Sequence, residues 1–419
     1  MTITIKFNYD IEHTYNSFDE ILQLANYNDI VYIKCYYNNL YNLPELPNSL
    51  IELCCSDNNL SSLPKLPNSL ELLLCDHNSL SSLPELPNSL VKLYCNNNNL
   101  SILPELPILL TNLWCSNNNL SYLSKLPNLL TNLICANNNL SSLPELQNLL
   151  TNLRCSNNNL SSLPKLPNSL KTLDCSNNNL SNLPELPNSL SELHCSGNKL
   201  SSLPKLPNSL EELYCNHNNL SILPELPNSL EKLYCEHNKL FNLPKLPNSL
   251  EKFYCNNNIL SSLPELPYSL TELLCDNNCL SSLPKLPNSL KYLDCGNNSL
   301  SSLPELPNSL EQLYCYRNKL FNLPELPNSL KRLYCSNNNL SSLPELPNSK
   351  IDICYKYNPI HTYIKKYFND KHQQYFDYQR QMKRIFANKI GNWYLDCKYN
   401  PKYLYCRKRL MEEYDDLYN

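Results

Sequence analysis

Glycine is nearly missing from this chain of 419 residues: Gly197, Gly296 and Gly391 are all it has. Phosphate-cradling loops and dinucleotide fingerprints need several glycines close together, so both are excluded. Long apolar runs are missing too. None approaches the ~18 residues that a spanning helix requires, so no transmembrane segment is expected. The first ten residues, Met1 to Asp10, lack the apolar stretch of a signal peptide. No C-x-x-C pair occurs, and no Ser/His/Asp set or paired metal ligands stand out. The chain is therefore expected to be non-enzymatic, with no cofactor and no metal.

Net charge is small too, with a formal value of −4. The balance is uneven. Residues 361–419 hold 12 Lys and Arg against 7 Asp and Glu, and residues 1–360 hold 22 against 31. An acidic body carries a modestly basic tail.

What is present is a strict period of twenty. Leu330–Leu340 reads L-x-x-L-x-C-x-x-N-x-L, and the pattern recurs from Ile30–Leu40 to Lys350–Ile360. Cysteine fills its slot in sixteen of seventeen copies, Cys35 to Cys335, and asparagine fills its slot in all seventeen, Asn38 to Asn358. A period of this kind predicts a stacked array rather than several separate cores.

One unit, written from Leu210, shows the logic. Leu213 and Cys215 are two apart, which puts both on one face of a short strand and Tyr214 on the other. Pro224 and Pro227 cannot donate hydrogen bonds and hold φ near −65°, so the second half is extended or polyproline-like. Leu210, Leu220, Leu223 and Leu226 complete the inward set. Asn218 is expected to satisfy backbone groups of its own turn and the next, forming an Asn ladder through the array. The cysteines are expected to be buried, reduced core residues rather than a disulfide scaffold or a metal site. Eight Asn-Leu-Ser acceptors, from Asn59 to Asn339, would collect glycans along one edge on a secretory route. An intracellular location is expected on these two grounds.

These residues resemble the leucine-rich-repeat family. The segment Leu-Pro-Glu-Leu-Pro-Asn-Ser-Leu is similar to the short twenty-residue class of secreted effectors of enteric bacteria. The resemblance covers residues 30–360. It implies a mainly β solenoid, right-handed and curved, with a concave parallel sheet and a polyproline-like convex side. Cysteine in the third apolar slot departs from the commoner Leu, Val or Ile. Effectors of this class often carry a ubiquitin-ligase domain with a nucleophilic Cys shortly before an Asp. Here Cys397 is followed by Lys398-Tyr399-Asn400, and that motif is missing.

Three segments follow. Residues 1–29 read as an N-terminal cap: Thr2–Phe7 alternates as a strand, and Ser17–Leu24 reads as a helix with Ser17 as N-cap and Glu20 three residues later. Residues 30–360 are seventeen repeats. Residues 361–419 read as a helical cap. Its first helix has Ile360, Tyr363, Ile364, Tyr367 and Phe368 at helical spacing. A second spans 371–390 with Phe376, Ile385, Phe386 and Ile390 as core. A turn at Asn400-Pro401 leads to a third over Tyr403–Leu417. The stretch Trp393–Leu410 resembles the C-terminal tails of repeat proteins from giant DNA viruses of amoebae, which implies a viral protein in host cytoplasm or virion.

Function must be written in the strand column that faces away from the core. Its candidates for a protein partner are Tyr94, Trp114, Arg154, Tyr214, Tyr234, Tyr254, Tyr314 and Tyr334, on the expected concave face. Exposed aromatics among charges are typical of binding hot spots. Tyrosine also stabilises cross-strand stacks by itself, and duplication copies residues without selection. The expected function is a monomeric protein–protein interaction scaffold or adaptor. The alternative is a nucleic-acid- or membrane-associated adaptor using Lys365-Lys366, Lys383-Arg384 and Arg407–Arg409. Seven acidic residues are mixed into that tail, which makes nucleic acid the less favoured partner. A third possibility is an expanded array with no specific partner.

Overall fold

A computed structural model describes residues 2–8, 11–346, 351–369, 371–399 and 408, without the side chains of 396–399. The expected turn at Asn400-Pro401, the helix over Tyr403–Leu417, Lys350 and the side chain of Cys397 lie outside the described residues. Two compact units divide the chain, Met1–Ser299 and Leu300–Asn419.

In the first unit the repeat winds as a β-solenoid. Strand β3 (Ile30–Lys34) is followed by thirteen three-residue strands, β4 (Glu52–Cys54) to β16 (Tyr292–Asp294), one per turn. They pair in parallel and in register, so Leu213 lies opposite Leu193 and Leu233. The short strand has a simple cause. Only Glu212, Leu213 and Tyr214 lie between two bends, and Leu213 alone points inward.

Leu210, Leu213, Cys215, Leu220 and Leu223 are buried as expected, whereas Leu226 is half-buried. Pro227 is buried with them, which its role as a backbone breaker did not suggest. Each fully buried Leu stabilises a turn by roughly 1.5–3 kcal/mol, but only when neighbours cover it. No helix or strand forms between Ser221 and Pro227, as two prolines demand.

Asn218 is buried. Its Nδ2 donates to the carbonyls of Cys195 (3.0 Å), Cys215 (3.1 Å) and Asn216 (3.2 Å), and its Oδ1 accepts from the Leu200 N–H (3.0 Å). The ladder therefore ties each turn to the preceding one, where the next had been expected. The strand runs toward the bend, and an amide at its end reaches back over the carbonyls already laid down.

Ahead of the repeat, β1 (Ile3–Phe7) pairs antiparallel with both β2 (His13–Tyr15) and β3. The edge of β3 that precedes the array is thus covered, which blunts it against edge-to-edge pairing. Helix α1 (Phe18–Leu22) is shorter than expected, but its cap is as read: Ser17 accepts from the Glu20 N–H, and Glu20 accepts from the Asn16 N–H.

The second unit contains β17 (Gln312–Tyr314), β18 (Arg332–Tyr334) and β19 (Asp352–Cys354), then α2 (Pro359–Phe368) and α3 (His372–Tyr399). Ile360 and Ile364 of α2 are buried, but Tyr363 and Tyr367 stay exposed and lean on each other. Phe376 of α3 is buried. Ile385, Phe386 and Ile390 are exposed, contrary to the core assignment, because among the described residues nothing packs on that part of α3. Two of the tail's basic side chains, Arg380 and Lys383, face Glu345 at 3.7 and 3.6 Å.

Candidate interaction surface

The outward strand column is built by alternation. In each strand from β4 to β18 the central side chain is buried and its two neighbours turn to the open face of the sheet. In-register pairing then lays like positions side by side, about 4.8 Å apart. Seven of the eight candidate residues are half-buried and Arg154 is exposed.

Tyr214, Tyr234 and Tyr254 come together. Tyr214 stacks on Tyr234 with ring centroids 4.5 Å apart and planes 8° apart, and Tyr254 meets Tyr234 edge-on at 4.5 Å. His194 extends the stack at 4.2 Å from Tyr214. Parallel rings hide their faces in one another, so edges and hydroxyls meet the solvent.

Two of those hydroxyls are held. Tyr214 donates to Glu212 (2.9 Å) and Tyr254 donates to Glu272 (2.6 Å). Lys232 pairs with the same Glu212 at 2.7 Å, and Lys252 with Glu272 at 3.0 Å. Lys232 and Lys252, which flank the tyrosines, are thus paired across turns. His194, Glu212 and Glu272 are members of the group that the choice of aromatics missed. Opposite charges in the same strand position of adjacent turns were the available signal.

The electrostatics follow the contacts. Burial raises the Tyr214 and Tyr254 phenols well above the usual value, and the adjoining carboxylates Glu212 and Glu272 raise them further. Burial also works to raise both carboxyls. The hydrogen bonds from Lys232 and Tyr214 to Glu212, and from Tyr254 and Lys252 to Glu272, outweigh it, so both titrate low. At pH 7 Glu212 and Glu272 are ionised and each is paired with a lysine, while the Tyr214 and Tyr254 phenols stay protonated.

Other candidates stand apart. Tyr94 stacks on Trp114 at 4.3 Å, several turns earlier. Arg154 lies between Ile134 and Asp174 in register and joins neither aromatic group. In the second unit Tyr314 and Tyr334 meet edge-on at 5.1 Å, and Tyr334 donates to Asp352 (2.7 Å). Cys54, in the same column, is buried beside Tyr32.

The cysteine column is a stack of free thiols among the described residues, buried from Cys35 to Cys335. Burial pushes the thiols up, to about 12 at Cys35, Cys135 and Cys335. No group of three metal-ligating side chains forms among the described residues, and no described helix is long and apolar enough to cross a membrane.

A parallel sheet of one short strand per twenty-residue turn, with a leucine core and an asparagine ladder, defines a leucine-rich-repeat solenoid. The structure is similar to YopM from Yersinia enterocolitica WA-314, with 36% identity and a TM-score of 0.66 over 78% of this chain and 87% of that one. It is similar to YopM, a leucine-rich effector protein from Yersinia pestis, with 39% identity and a TM-score of 0.60 over 78% and 88%. A leucine-rich-repeat protein of Leptospira interrogans shares the fold at 23% identity and a TM-score of 0.55, over 81% and 99%. No family model and no curated protein matches the chain. The chain belongs to the leucine-rich-repeat family.

Proposed function

We propose that the chain is a non-enzymatic scaffold that docks a protein partner on the open, concave face of its sheet, centred on Tyr214, Tyr234 and Tyr254. The observation that carries this reading is the cross-braced aromatic group, whose rings pack on one another and whose Tyr214 and Tyr254 hydroxyls are held before any partner arrives. A rigid aromatic surface loses little side-chain entropy on binding, which is what makes tyrosine effective at hot spots. Its charges are already paired, so the surface favours a partner that supplies apolar contact and neutral hydrogen bonds over a strongly charged one.

The setting we propose is host cytoplasm or a virion. The reduced cysteine stack and the eight exposed Asn-Leu-Ser acceptors support it, as does the resemblance of the tail to giant-virus repeat proteins. Affinity capture from infected or native cells, with wild type beside the Tyr214→Ala, Tyr234→Ala, Tyr254→Ala variant, tests the docking claim. A partner retained by wild type and lost by the folded variant is expected. Identical partner lists would refute it.

A further inference from the structure

Three successive turns break a rule that the rest of the first unit keeps. From Ser169 to Ser289 the residue before the strand's leading leucine is serine, and its hydroxyl donates back to a carbonyl of the preceding turn, as Ser209 does to Leu190 (2.6 Å). At positions 109, 129 and 149 that slot holds leucine. Leu109, Leu129 and Leu149 are 44, 42 and 50% exposed, and Ile108 beside them is 72% exposed. The exchange gives up a hydrogen bond and turns apolar side chains to water at three consecutive positions.

The surroundings change with it. Thr111, Thr131 and Thr151 donate their hydroxyls to the preceding turn (3.2, 3.1 and 3.1 Å). Between Glu105 and Arg154 the only charged residues are Lys125 and Glu145, both in the proline half of their turns. The result is an apolar ridge whose strand-side border is uncharged, with Glu105, Lys125 and Glu145 alternating in sign on the proline side.

We infer that this ridge is a docking site for one amphipathic α-helix of a protein partner, lying along the stack of turns. Three considerations select that occupant. The leucines repeat about every 4.8 Å, close to the ~5.4 Å pitch of a helix, so side chains at i, i+3 or i+4 and i+7 fit between them. Four partly exposed apolar side chains offer on the order of a few hundred Å². A second copy of the chain would need about 800 Å² per partner for a stable dimer, which the ridge does not supply. An uncharged strand side and a proline side with one lysine between two glutamates give no purchase to nucleic acid or to a strongly charged peptide. The inference rests on the reading of this chain as a protein-docking scaffold and adds a second surface to it.

The probe is a labelled peptide of about fourteen residues with leucines at i, i+3, i+4 and i+7 on a neutral background, beside a peptide of the same composition with the stripe scrambled. Anisotropy is read with the full chain and with its Leu109→Ser, Leu129→Ser, Leu149→Ser variant, which restores the residue used at other turns. Striped-peptide binding is expected to weaken at least about tenfold in the variant and to change less than about twofold between low and high salt. Equal binding to the variant, equal binding of the scrambled peptide, or no binding to wild type would overturn the inference. So would sedimentation showing a wild-type dimer that the serine variant dissolves, since the occupant would then be a second copy. The Tyr214, Tyr234, Tyr254 alanine variant is expected to bind the peptide normally. Failure at the ridge is thereby distinguished from failure of the tyrosine face.

Discussion

Tyr214 lies flat against Tyr234, with planes 8° apart and centroids 4.5 Å apart, while its hydroxyl is held by Glu212 of its own strand. Successive turns are thus joined by a ring contact on one side of the sheet and by Leu213 opposite Leu233 on the other. A stacked pair of this kind contributes about 0.5–1.5 kcal/mol beyond its buried area. A double-mutant cycle of Tyr214→Ala and Tyr234→Ala should return a coupling in that range by denaturant unfolding. A coupling near zero would show that the rings stand together without supporting each other.

Asn218 should matter more than any residue on the face. Asn218→Ala leaves the Leu200 N–H without its partner, while the Cys195 and Cys215 carbonyls keep the amides of Asn198 and Asn238. Leaving one buried donor unpaired costs about 1–3 kcal/mol, so a loss of roughly that size is expected. Hydrogen exchange locates it, since the Leu200 amide should lose protection first.

Thiol chemistry should divide the cysteines sharply. Cys279 is exposed and free, whereas the ladder from Cys35 to Cys335 is buried with its thiols pushed up by burial. A buried thiol that is not ionised is a poor nucleophile. In a background with Cys397 and Cys406 replaced by serine, a disulfide reagent should modify Cys279 rapidly. The ladder should react only after unfolding.

A pH effect is expected at Asp294. Burial pushes its carboxyl up to about 7 from the usual 3.8; the Gly296 N–H (3.0 Å) opposes this, and Asp276 adds to it. An acid raised in the folded state contributes stability that is complete below about pH 4 and lost as pH rises through about 7. Asp294→Asn should match wild type near pH 4 and exceed it by at most about 4 kcal/mol above pH 7. The difference between the two unfolding curves across that range checks the sign.

Much of this was legible in the residues. The period placed the leucines, cysteines and asparagines because each slot faces one environment at every turn. Alternation also told which side Tyr214 faces. It could not tell that His194 and Glu212 would join it, because stacking and hydroxyl partners depend on rotamers that pairing selects. The scarcity of glycine hid another feature. The residue two after each ladder cysteine is left-handed, with φ of +54° at Asn97 and +52° at His217, and only Gly197 uses glycine there. Asparagine tolerates that conformation through its short polar side chain, so the turn was written without its usual marker. The exposed end of α3 was misread as core because helical spacing shows that an apolar face exists, not that anything covers it.

The central claim is that a partner meets the open face of the sheet at the tyrosines. A photo-crosslinking phenylalanine at position 234, compared with one at the exposed position 245 of the proline half-turn, tests it in cells. Covalent adducts with one partner from position 234 and none from position 245 are predicted. Adducts from position 245 alone, or equally from both, would contradict it.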